Sequence, residues 1–259
     1  MRTGLITLAL LAGTALAGTA QAQTVAALVG DDTLVHVDTA AKKAVKTVKV
    51  TGISGRVLGI DVRPADGMLY AVISDGAIVT IDPATGAATA KSKLDTMLAP
   101  GTMATVDFNP VADRLRIIGS DGTNLRANVD DGKVTKDGQL KFAETDSMKG
   151  KTPKIVAGAY TNSYKGTKET TLFDIDASGA VLRQAPPNDG ILNTVGTMGM
   201  AGDNVAFDVL SDGQGGNQAW AMAGDTLYKV DLSTGKGEMV TKIAGVSGTV
   251  RDIAILPKM

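Results

Sequence analysis

The sequence predicts an all-β protein: a β-propeller of about five blades, each of about four antiparallel strands. Three observations carry this expectation. Short runs rich in Val, Ile, Thr and Leu alternate with Asp, Gly, Pro and Asn along nearly the whole chain, the pattern of strands and turns. Two kinds of strand-and-turn unit recur in alternation. Their period is roughly 40 to 50 residues, the length of a propeller blade.

The chain opens differently. Arg2 gives a positive start, Leu5 to Leu16 is a short apolar run, and Ala20-Gln21-Ala22 offers an A-x-A cleavage site. This is the pattern of a signal peptide over residues 1–22, cleaved before Gln23. Gly and Thr interrupt the run, which falls short of the roughly 20 apolar residues a spanning helix needs. A periplasmic or extracellular protein is expected, with residues 23–259 forming one propeller domain. The chain has no cysteine, which excludes a lipid-anchored lipoprotein, disulfides and thiol catalysis. With 26 basic against 27 acidic residues, no basic field favours nucleic acid or anionic lipid. The expected partner is a protein, glycan or small ligand at one propeller face, and the expected state is a monomer. Abundant Gly and few aromatics suit many tight turns.

The first recurring unit is a hairpin turn. Ile81-Asp82-Pro83-Ala84-Thr85-Gly86 returns as Val230-Asp231-Leu232-Ser233-Thr234-Gly235 and, shortened, as Ile175-Asp176-Ala177-Ser178-Gly179. Val37-Asp38-Thr39-Ala40-Ala41-Lys42 is a weaker copy. The Asp carboxylate can take the turn's amides and Gly supplies positive φ. The second unit is a strand ending in proline, which cannot donate to a ladder. It reads Gly59-Ile60-Asp61-Val62-Arg63-Pro64 and Thr105-Val106-Asp107-Phe108-Asn109-Pro110, with looser copies around Tyr160, Asp208 and Asp252.

Those five positions anchor five blades: 23–50 with 250–256, then 55–95, 102–142, 153–199 and 203–243. The segment 250–256 reads as an innermost strand without followers, and 25–29, 34–37 and 45–50 as three strands lacking one. Joining them closes the ring and removes exposed sheet edges. An irregular sandwich, or a sixth blade hidden in 142–170, is the alternative.

The repeated first-strand position, Asp61, Asp107, Tyr160, Asp208 and Asp252, would line the channel and is the candidate ligand site. Clustered carboxylates suit a hard cation such as Ca²⁺, so Asp61, Asp107, Asp208 and Asp252 are the candidate metal ligands. The competing and stronger reading makes each Asp an acceptor for backbone amides of the next blade, or a partner of Arg63, Arg114, Arg116 or Arg251. Asp174-Ile175-Asp176-Ala177-Ser178-Gly179 resembles the start of a calcium loop, yet Ala185 stands where its bidentate Glu belongs. His36, the single histidine, reads as a solvent-facing strand residue. It has no G-x-S-x-G partner. Trp220 and Tyr228, on adjacent strands, are read as packing between blades and less readily as a sugar platform. The segment Asp212-Gly213-Gln214-Gly215-Gly216-Asn217 lies between strands, so it is no phosphate cradle.

Three further segments complete a family pattern: Val156-Ala157-Gly158-Ala159-Tyr160-Thr161-Asn162, Thr171-Leu172-Phe173-Asp174-Ile175-Asp176 and Pro186-Pro187-Asn188-Asp189-Gly190-Ile191-Leu192-Asn193-Thr194-Val195-Gly196. With the Asp61 and Asp107 units, they make the chain resemble the bacterial domain-of-unknown-function family 4394 over nearly its whole mature length. The resemblance implies an exported propeller-type protein and assigns no reaction, so no catalytic residue follows from it. The leading expectation is a non-enzymatic binding module of the cell envelope. The alternative is a metal-assisted hydrolase or lactonase in which a channel cation activates water, with Glu144, Glu169 or Glu238 as base.

Overall fold

The computed structural model describes residues 23–257; the expected signal peptide lies outside them. In chain order the strands are β1 (Thr24–Val29), β2 (Thr33–Asp38), β3 (Lys43–Lys49), β4 (Val57–Val62), β5 (Leu69–Ile73), β6 (Ala77–Ile81) and β7 (Ala88–Lys93). There follow β8 (Ala104–Asn109), β9 (Arg114–Gly119), β10 (Asn124–Ala127), β11 (Val134–Lys136), β12 (Lys141–Phe142), β13 (Ile155–Tyr160) and β14 (Leu172–Asp176). The last are β15 (Ala180–Gln184), β16 (Ile191–Thr197), β17 (Val205–Ser211), β18 (Asn217–Ala223), β19 (Thr226–Val230), β20 (Gly237–Lys242) and β21 (Val250–Ile255). They form five small sheets, the five blades of a propeller.

The innermost strands β21, β4, β8, β13 and β17 touch one another in turn around the ring. The ring closes as the ends of the sequence suggest. β21 pairs antiparallel with β1, Val25 opposite Ile255 and Ala27 opposite Ile253. No sixth blade lies in 142–170, because β13 joins β14, β15 and β16 in the fourth sheet. One boundary differs from expectation. β12 was assigned to the third blade but pairs parallel with β16 in the fourth, Phe142 opposite Leu192. Leu140 and Phe142 are buried beside Leu182 and Leu192, so apolar burial carries the segment across the seam.

Five apolar clusters fill the five seams. Between the second and third blades, Tyr70 and Val72 meet Phe108, Leu115 and Ile117, and the Tyr70 and Phe108 rings stand edge to face with centroids 5.3 Å apart. Between the fifth and first, Trp220 and Met222 meet Val250 and Ile253. Seams cover both faces of the inner strands, which explains the continuous burial of β4 and β5 and the exposure of the outer β7. Each large aliphatic side chain so buried contributes roughly 1.5–3 kcal/mol.

The hairpin turns follow their sequence chemistry. Asp82 Oδ1 accepts the Ala84 and Thr85 amides, Asp176 Oδ1 that of Ser178, and Asp231 Oδ1 that of Ser233. Gly86 (φ +79°), Gly179 (φ +86°) and Gly235 (φ +71°) close these turns in the left-handed region. The first copy uses Lys42 there instead (φ +56°). Gly86 answers a second demand, since a Cβ on it would collide with the Lys49 carbonyl of the preceding blade.

Candidate functional site

The channel carboxylates are built by the register of the inner strands. Asp61, Asp107, Asp208 and Asp252 are all buried, and each accepts a backbone N–H from the next blade round. Asp252 Oδ2 takes Ile60 N at 2.9 Å, Asp61 Oδ2 takes Phe108 N at 2.7 Å, Asp107 Oδ1 takes Tyr160 N at 2.9 Å, and Asp208 Oδ2 takes Ile255 N at 2.7 Å. The remaining oxygens of Asp61, Asp208 and Asp252 take the amide of the following residue in their own strand. The carboxylates therefore staple four of the five seams.

The fifth seam, between the fourth and fifth blades, is made otherwise. Tyr160 occupies the repeated position there but does not turn into the channel as expected. Its ring is buried among Ile118, Leu172 and Leu182, and Arg116 Nε donates to its hydroxyl at 3.2 Å. Its bulk suits the interblade core, and only its amide joins the carboxylate ring. Asn162 and Asn217 supply the polar link across this seam: Asn162 N donates to Asn217 Oδ1 at 2.7 Å, and Asn217 Nδ2 to Asn162 Oδ1 at 2.8 Å.

Asp61, Asp107 and Asp208 each bring one oxygen into a group lying within 4.8 Å of one another. Among the described residues Asp252 is not part of that group. Burial pushes the Asp61 carboxyl well above the usual range, and the Asp208 charge adds to it. Asp107 rises by burial and then by Asp61 and Asp208, Asp252 chiefly by burial. Burial lifts Asp208 to about 6, with its amide contacts working against the rise. Like charges in a low-dielectric channel disfavour joint ionisation.

The arginines proposed as partners go elsewhere. Arg63 forks onto Asp113 and reaches Asp130, Asp66 and the Tyr70 hydroxyl. Arg116, 2% exposed, bonds Asp137, Asn124 and Asn188, tying the Pro187–Asp189 turn of the fourth blade to the third. Arg114 donates to nearby backbone carbonyls, and Arg251 donates to Gly30 and Val57 carbonyls across the seam. Sequence reading missed the Arg116 network because its members lie up to 72 residues apart.

Asp174 is no loop ligand. It is fully buried within β14, opposite Gly158 and Leu182. Neither of its oxygens has a hydrogen-bond partner among the described residues. Burial raises its pKa to about 8, with Arg116 acting in the other direction. Asp176 instead caps the turn and accepts the Lys154 amide. Trp220 and Tyr228 face opposite sides of the fifth blade, so they form no shared platform. Trp220 lies in the seam with the first blade, under the Lys229 ammonium, and Tyr228 packs toward the fourth.

His36 corrects a further expectation, being 6% exposed rather than solvent-facing. Pleat parity puts it on the face of β2 that turns toward the second blade, with Leu34, and that blade covers it. It lines a cleft of about 910 Å³ between the first two blades. Apolar walls come from Leu69, Ile81, Pro83, Ala87 and Leu256, with Gln23, Thr80, Lys46 and Asp82 as polar members. His36 Nε2 and Gln23 Oε1 are buried without a hydrogen-bond partner among the described residues. Burial lowers the imidazole pKa, Lys46 adds to this, and the Pro83 carbonyl opposes it. A second cavity of about 310 Å³ sits at the channel mouth beside Asp61 and Asp208. The two share Gly67, Leu256 and Pro257, so both open on one face, at the C-terminal ends of β4 and β21.

These features define a five-bladed propeller with its inner carboxylates bonded into the seams and its open volume on one face. The chain belongs to the family described as a domain of unknown function, DUF4394, whose model matches residues 33–254. No curated protein matches it. Among solved structures it is similar to a protein of unknown function from Bacteroides thetaiotaomicron, with 17% identity and a TM-score of 0.52. That match covers 92% of this chain and 65% of the other, so the chain spans just under two thirds of that protein's length. A protein of unknown function from Bacteroides caccae is matched at 14% identity and a TM-score of 0.43, covering 87% of this chain and 74% of that one. The first of these likenesses supports the fold alone.

Proposed function

We propose that this protein is an exported, non-enzymatic binding module of the cell envelope that takes a small ligand on the face shared by the interblade cleft and the channel mouth. One observation carries the reading. The two cavities adjoin on that face, and the larger is near the top of the usual range for small-ligand sites, roughly 300–1,000 Å³. The carboxylates that catalysis would need are engaged as backbone acceptors between blades. The signal-peptide pattern supports the periplasm or medium as the place of action.

The test is a fluorescence titration of the purified protein with Nile red, a neutral apolar probe. Saturable binding at one site is expected, with at least tenfold weakening in Met68→Trp and Ala84→Trp, which crowd the cleft wall. Unsaturable binding, or binding indifferent to both substitutions, sinks the proposal.

A second reading rests on the 4.8 Å convergence of Asp61, Asp107 and Asp208: a Ca²⁺-type cation in the channel serving a metal-assisted hydrolase or lactonase. Metal analysis of the purified protein and thermal shift with Ca²⁺ and EDTA decide it. Neither bound metal nor a shift removes it.

A further inference from the structure

We infer that the interblade cleft is built for a small amphiphilic acid, an aliphatic body carrying one carboxylate; this rests on the proposal that the cleft is the ligand site. The apolar part of the argument comes from the walls. Leu69 and Ile81 of the second blade face Leu256 and Pro257 across the seam, with Pro83 and Ala87 extending the same surface. Such walls recognise a hydrocarbon body without fixing its direction.

The head group is fixed by what stands at one side of the cleft. His36 and Lys46 are direct register partners on β2 and β3, so their side chains leave the same face of the sheet side by side. Among the described residues no carboxylate lies within ion-pair distance of Lys46, although other exposed lysines such as Lys49 and Lys91 have theirs. The Asp82 carboxylate in the cleft wall turns its Oδ1 to its own turn, onto the Ala84 and Thr85 amides. His36 contributes a buried ring nitrogen without a partner, a group that normally finds one. A carboxylate placed here meets the Lys46 ammonium, and its acid form can donate to His36 Nε2, while its chain lies along the apolar walls. A cationic head meets Lys46 as a like charge, and an uncharged alcohol leaves the ammonium unpaired.

The experiment is displacement of Nile red from the purified protein by decanoate, decanol and decyltrimethylammonium, all below their micelle concentrations. Decanoate should displace the probe at a concentration at least tenfold lower than either analogue. Lys46→Gln should weaken decanoate about five- to tenfold relative to Nile red and decanol measured on the same variant. Lys46→Glu should reverse the order in favour of decyltrimethylammonium. Equal potency of the three compounds, or decanoate binding indifferent to both Lys46 variants, overturns the carboxylate assignment while saturable Nile red binding leaves the cleft itself standing. If Nile red does not saturate either, both readings fall together.

Discussion

Gly86 and Gly67 share a positive φ, +79° and +74°, but differ in what surrounds them. A Cβ on Gly86 meets the Lys49 carbonyl, whereas nothing lies within 4 Å of one on Gly67. Gly67→Ala should therefore cost about 1 kcal/mol, from backbone strain alone. Gly86→Ala should cost about 2–3 kcal/mol, since the neighbouring blade must also shift; urea unfolding of the two variants checks the difference. Asp208 makes a pH prediction. Its folded pKa of about 6 lies above the ordinary 3.8, so the folded state holds the proton more tightly. Its stabilising contribution is complete below about pH 4 and is lost as pH rises through about 6. The stability advantage of wild type over Asp208→Asn should thus shrink between pH 4 and pH 8. A constant difference contradicts this. The turn Asp and Gly residues were legible in sequence because their bonds close within a few positions. His36 was not: parity told which side of the strand it takes, and nothing local told that another blade covers that side.

At the scale of elements, β21 completes the first blade's sheet and carries Asp252, whose carboxylate accepts the Ile60 amide of the second blade. Removing residues 250–259 leaves β1 an open edge and the Ile60 amide without its acceptor. The truncated protein should lose its cooperative urea transition, and the peptide 248–259 added in trans should restore it. Trp220, the sole tryptophan, sits against Val250 and Ile253 and reports the event by fluorescence. This strand was readable from its unpaired position at the end of the repeat series. The two-residue β12 was not, because so short a segment carries no periodicity and its blade is chosen by burial against Leu192.

For the molecule as a whole, the count of five blades followed from repeat spacing, since each blade needs a similar length of chain. The function-bearing face did not follow. The cleft arises where Gln23, His36, Ile81 and Leu256 meet, from four separate parts of the chain, and no repeat marks it. Sequence drew attention to the channel carboxylates instead, whose repetition reflects the ring they hold together.

The closing pair also sets how the molecule responds to tension. Val25, at the start of β1, lies opposite Ile255, at the end of β21, so both ends of the described chain leave the ring from one point. A load applied through residues 23 and 257 falls on the hydrogen bonds of that pair in succession rather than all together. The ring should peel open at low force from this end, and single-molecule pulling should show an early short extension before the remaining blades unravel. Handles attached instead at Asp131 and Asp203, in turns of the third blade and before the fifth, should remove that early step.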